Sequence, residues 1–119
     1  MSKAFTIIEE SCLETMRQGI KLVRGPAFDW TGPGELPLVC NWAGAVLWVS
    51  GVAHTTKPVT ELCRILDVDG FWLYRCWIGW DGNLVLTATD PKTLKESKDE
   101  VSRTAQTLAK RLIRGRRPR

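Results

Sequence analysis

Residues 69–82, DGFWLYRCWIGWDG, decide how this chain is read. Two Asp-Gly pairs, Asp69-Gly70 and Asp81-Gly82, stand twelve residues apart and border apolar, β-rich runs. Asp-Gly between such runs is a strong hairpin signal, because a type I′ turn needs φ > 0 at both central positions. Residues 71–79 are therefore predicted as a strand, with 83–89 (NLVLTAT) as its antiparallel neighbour. In such a strand Trp72, Tyr74, Cys76, Ile78 and Trp80 share one face, and Phe71, Leu73, Arg75 and Trp77 the other. Both faces are largely apolar, so this is a central strand that needs cover on each side. Helices supply one cover. A loop, a second subunit or a ligand supplies the other.

Upstream, residues 36–53 run for eighteen positions without a charge, the lower limit for a membrane-spanning helix. Pro37, Asn41, Gly44, Ser50 and Gly51 interrupt the run. Two short buried strands, near 38–42 and 45–50, explain it better than a span. Residues 58–66 (PVTELCRIL) read as a short helix or a strand; the helix is favoured, since Pro58 suits a first helical position, Val59, Leu62, Ile65 and Leu66 have helical spacing, and the strand alternation is poor. Residues 27–38 form a Gly- and Pro-rich loop in which 28–30 are a candidate edge strand. Gly32-Pro33-Gly34 lacks the following Gly-Lys-Ser/Thr of a phosphate loop and is a turn.

The two ends are helical in pattern. Phe5, Ile8, Cys12, Met16, Ile20 and Val23, widened by Leu13, make an apolar stripe over residues 3–24. Ser2 suits its N-cap, and Gly25-Pro26 its end. Asp90 and Pro91 open a long C-terminal helix whose stripe is Leu94, Val101, Ala105, Leu108, Ala109, Leu112 and Ile113. Gly115 closes it. The expected fold is one α+β domain over residues 1–114, followed by a disordered basic tail, 115–119. An antiparallel sheet of four to five strands carries the N-terminal helix and the long C-terminal helix.

The order of these elements resembles that of the class I type III secretion chaperones, which run α-βββ-α-ββ-α at similar length and work as dimers. The resemblance implies a dimeric, protein-binding module. It rests on layout alone, and the basic tail departs from the acidic character of those chaperones.

The charge is uneven. The net charge is +4, yet residues 110–119 (KRLIRGRRPR) hold six of the seventeen basic residues and no acid. The rest carries eleven basic against thirteen acidic groups, a net of −2. Arg103, Lys110, Arg111, Arg114, Arg116, Arg117 and Arg119 are the candidate nucleic-acid contacts, electrostatic and indifferent to base sequence. Cysteines 12, 40, 63 and 76 form no C-x₂-C pair, and one histidine cannot complete a zinc set. Four reduced thiols in a cytoplasmic protein are expected. No metal or other cofactor is expected. His54, in a loop, has no recognisable acid or nucleophile beside it, so no catalytic residue is assigned. Asp67 and Asp69 serve turn formation.

The leading expectation is a non-catalytic interaction module, a homodimer or a binder of another protein. Its interface residues are Phe71, Leu73, Arg75, Trp77, Leu94 and Val101, because Trp and Arg anchor interfaces and the doubly apolar segment needs cover. One alternative is a nucleic-acid binder that adds Trp30, Trp72 or Trp77 as stacking platforms to the basic tail. Another is a small-ligand pocket lined by tryptophans. No membrane span is expected.

Overall fold

The computed structural model describes residues 2–30, 36–82 and 100–114. Chain contacts divide it into two compact units, Met1–Val68 and Asp69–Arg119.

In the first unit, helix α1 (Lys3–Arg17) begins where the sequence places it: the Ser2 hydroxyl accepts from the Phe5 N–H at 3.4 Å. Phe5, Ile8, Cys12 and Met16 are buried along one stripe, while Leu13 is 43% exposed and does not widen it. The helix is shorter than the expected 3–24. It stops at Gln18-Gly19, where Gly19 takes φ +89° and its N–H donates to the Met16 carbonyl. A glycine in this left-handed position is a common helix end. Buried Ile20 and Leu22 continue the apolar spacing into strand β1 (Lys21–Leu22), which hides the stop from a periodicity reading.

Strand β2 (Phe28–Asp29) is the expected edge strand, and β3 (Val39–Cys40) lies between it and β1. β1 pairs parallel with β3, Leu22 opposite Cys40, and β2 pairs antiparallel, Phe28 opposite Cys40. The sheet is therefore mixed and, among the described residues, three-stranded, not the four- to five-stranded antiparallel sheet expected.

The second correction concerns residues 42–50. Helix α2 (Trp42–Val49) stands where a strand over 45–50 was expected. Trp42 through Leu47 are all buried, and a helix apolar on every side is a core helix. A continuous apolar run carries no period that separates this from a buried strand. Asn41 decides locally. Its Oδ1 accepts from the Gly44 N–H at 3.0 Å, and its Nδ2 donates to the Gly25 carbonyl at 2.9 Å. The Asn41 N–H donates to the Ala27 carbonyl. One fully buried side chain thus caps α2 and ties it to the loop before β2. Gly44 is needed there because a β-carbon would collide with the Ala27 carbonyl. α1 packs chiefly on α2. Helix α3 (Pro58–Leu66) matches the expectation, with Leu62 and Leu66 buried. Val59, counted in its stripe, is exposed. α3 ends on Asp67 at φ 56°, a left-handed conformation that Asp tolerates through its short polar side chain.

The third correction is the largest. In the second unit, residues expected as a central strand form helix α4 (Gly70–Asp81). Asp69 is its N-cap, its Oδ1 accepting from the Trp72 N–H at 2.8 Å. Gly82 takes φ +73° and closes the C-terminus, its N–H donating to Ile78 and Gly79 carbonyls. Each Asp-Gly pair thus bounds a helix. Leu73, Cys76, Gly79 and Trp80 are buried, the spacing of one helical face. They face helix α5 (Glu100–Arg114), whose Ala105, Leu108, Ala109 and Leu112 are buried in the predicted stripe. The Ser102 hydroxyl donates to the Arg75 carbonyl at 3.1 Å.

With 70–81 helical, the element order departs from that of the type III secretion chaperones. The strand expected at 83–89, the Asp90 cap, Leu94 and the tail 115–119 lie outside the described residues. No helix among the described residues is long and apolar enough to cross a membrane.

The buried thiols give a pH prediction. Burial pushes Cys40 up from 9.0 to about 12. Burial first, then the neighbouring Cys40 and Glu9, pushes Cys12 up strongly as well. A raised acid pKa means that the fold holds a proton where the unfolded chain does not. The contribution is complete below about 9 and is lost as pH rises towards 12. Urea unfolding followed from pH 8 to 11 is expected to show falling stability, with a shallower fall in Cys40→Ala. An equal slope in that variant would assign the effect elsewhere.

Candidate binding surfaces

Two surfaces gather exposed aromatic side chains, one in each unit, and the second also carries basic ones.

The first is aromatic. Phe28 and Trp30 follow each other on the β2 side, Trp48 comes from the last turn of α2, and His54 from the turn between α2 and α3. The centroids of Trp30 and Phe28 lie 4.9 Å apart with rings tilted by 37°. Trp48 is 6.2 Å from Trp30 at 53°. His54 stacks on Trp30 at 4.8 Å and 29°. The Trp48 indole is locked in place because its Nε1 donates to Gln18 Oε1 at 2.9 Å. Trp30 is 38% exposed and His54 is exposed too. Trp30 was among the stacking candidates. Its grouping with Trp48 and His54 is absent from the sequence pattern, since no local period joins positions 30, 48 and 54.

The second surface belongs to α4 and α5. Of the expected interface residues, Phe71 is 48% exposed, and Trp77 and Val101 are half-buried. The Arg75 guanidinium lies over the Phe71 ring, 4.8 Å from its centroid. Leu73 points the other way and is buried, so it is a core residue of this unit. Tyr74, 50% exposed, replaces it on the outer face, one helical turn from Phe71. In a strand 71, 73, 75 and 77 would align. In a helix 71, 74, 75 and 78 do, and that change of period moved Leu73 inward and Tyr74 outward.

Of the basic candidates, Arg103, Lys110 and Arg111 are exposed on α5, away from its buried stripe. Arg103 and Lys110 are seven residues apart, two turns along the same face. Arg114 ends the helix. Arg116, Arg117 and Arg119 lie outside the described residues.

The chemistry available at these surfaces is packing, stacking and charge. Among the described residues no three of His, Cys, Asp and Glu gather as metal ligands would. All four cysteines are free. The His54 ring meets an indole, with no acid or thiol hydrogen-bonded to it among the described residues. Comparison with known proteins found no family model, no curated protein and no solved structure that matches this chain.

Proposed function

We propose that the protein is a non-catalytic interaction module that self-associates through the outer face of α4. One observation carries this reading. Phe71 and Tyr74 are each about half exposed on a helix whose opposite face is already buried. Only Arg75 and Asp81 are charged among its twelve residues, so the helix has more apolar surface than one neighbouring helix covers. Such a surface marks an interaction site, and two-fold self-association is the commonest way to cover it. Phe71, Tyr74 and the Arg75 stem supply the aromatic and guanidinium groups that anchor interfaces. A partner protein with an apolar helix is the other occupant this surface suits. The four free thiols suit a reducing, cytoplasmic setting.

Light scattering tests it. The wild-type chain is expected at twice its 13.4 kDa mass. Phe71→Glu with Tyr74→Glu is expected to run as a monomer with unchanged helical circular dichroism. A wild-type monomer at high concentration would overturn the proposal.

A second reading rests on the basic face of α5. Exposed Arg103 and Lys110 and the arginines after them would contact phosphates without reading bases. Binding of a labelled oligonucleotide should then weaken with salt. Each phosphate neutralised contributes about 0.7 to 0.9 to the slope of log K against log salt. Arg103→Ala with Lys110→Ala is expected to lower that slope by about 1.5. An unchanged slope would remove α5 from the contact.

A further inference from the structure

The Trp30 cluster is built as a stacking site whose face is occupied by a side chain of the same chain. We propose that the Trp30 indole, covered by His54 in this structure, binds a planar heteroaromatic ring of the nucleobase class, which takes the place of the imidazole. This site lies wholly within the first unit and is independent of the α4 proposal.

Three observations carry it. First, the cluster already holds one planar heteroaromatic ring on the indole, because His54 stacks on Trp30 at 4.8 Å and 29°. Second, His54 is held lightly. Among the described residues its imidazole makes no hydrogen bond, and its recorded contact is the stack itself. The turn that carries it is tied through backbone groups, Val52 N–H to the Leu47 carbonyl and Thr55 N–H to the Val52 carbonyl. Rotation about the His54 side-chain bonds therefore uncovers the indole without moving the backbone. Third, Trp30 retains recognition capacity. It is 38% exposed, and its Nε1–H has no hydrogen-bond partner among the described residues. A bicyclic indole offers more face than an imidazole covers, so a purine would bury more surface than His54 does. A ring nitrogen or exocyclic oxygen at its edge would accept from Nε1–H. Trp48, hydrogen-bonded to Gln18, packs against the same indole at 6.2 Å.

The ring could arrive as a free nucleoside or as a base of a single strand, and base–aromatic stacking tolerates either source. A single stack is weak, with a Kd on the order of 10 mM or above. His54 competes for the same face. The apparent Kd is the intrinsic value divided by the fraction of molecules whose indole is open, so removing His54 tightens binding.

The experiment titrates adenosine, ribose and a short oligo(dA) into the full chain and follows the tryptophan indole N–H resonances. Saturable shifts of the Trp30 signal with adenosine, absent with ribose, are expected. His54→Ala should lower the apparent Kd about threefold or more. Trp30→Leu should abolish the response, with the other indole signals in place as the control for folding. Oligo(dA) binding far tighter than adenosine, and lost in Trp30→Leu, would identify a single strand as the source. Equal affinity per base would identify the free nucleoside. If adenosine and oligo(dA) leave the Trp30 signal unmoved in both wild type and His54→Ala, the proposal fails. It fails equally if His54→Ala weakens binding, because His54 would then be a wall of the site and not its occupant.

Discussion

Asn41→Ala is expected to destabilise the protein by about 3 kcal/mol or more. Asn41 is fully buried and uses both ends of its amide. Its Oδ1 caps α2, and loss of such a cap alone costs about 1 kcal/mol. Its Nδ2 serves the half-buried Gly25 carbonyl, and loss of that hydrogen bond costs about 1 kcal/mol more. The cavity left behind adds to both. Asn41→Asp separates the two roles. It keeps the cap oxygen, loses the donor, and places a carboxylate against a carbonyl in the core. If the cap dominates, Asn41→Asp will be milder than alanine. If the tie to Gly25 dominates, as burial argues, it will be equally damaging or worse at neutral pH. Chemical denaturation of the three proteins measures this. A loss under about 1 kcal/mol for Asn41→Ala would show that the loop before β2 does not depend on it.

Gly79→Ala is expected to cost about 3 kcal/mol, although alanine is the better helix former by about 1 kcal/mol. A β-carbon at Gly79 would run into the backbone of Ser102, meeting its carbonyl oxygen and lying 2.8 Å from its Cα. Backbone cannot turn aside as a long side chain can, so α4 and α5 must separate. The Ser102 hydrogen bond to Arg75 and the burial of Cys76, Trp80, Ala105 and Ala109 depend on that close approach. Gly70, in the same helix, supplies the control. Nothing lies within 4 Å of its β-position, so Gly70→Ala should be neutral or stabilising by about 0.5 kcal/mol. Opposite signs from one substitution type in one helix would establish that packing, not propensity, sets the effect. Thermal melts of both variants decide it, and equal melting temperatures would refute the close approach.

The sequence by itself determined the elements whose signals are local and periodic. The start of α1 follows from Ser2 and the Phe5, Ile8, Cys12 and Met16 stripe. α3 follows from Pro58 and its spacing. The buried face of α5 follows from Ala105, Leu108, Ala109 and Leu112, and its exposed Arg103 and Lys110 follow as the opposite face. The edge position of β2 was legible too. Only the tertiary structure decided the two apolar runs. Residues 42–49 and 70–81 are apolar on every side, so neither a period of two nor one of 3.6 stands out. In such segments the end groups and the neighbours choose. Asn41 and Asp69 each accept from a backbone N–H three residues on, and Gly82 adopts φ > 0 to end a helix where the same dipeptide could have turned a hairpin. Gly79 permits α5 to approach closely, which rewards the helix over the strand. That choice also relocated the candidate interface, because helical periodicity buries Leu73 and exposes Tyr74. The Trp30, Trp48 and His54 grouping lay beyond any local pattern. Those rings meet because the turn after α2 brings His54 back onto Trp30, a contact that sequence spacing does not encode.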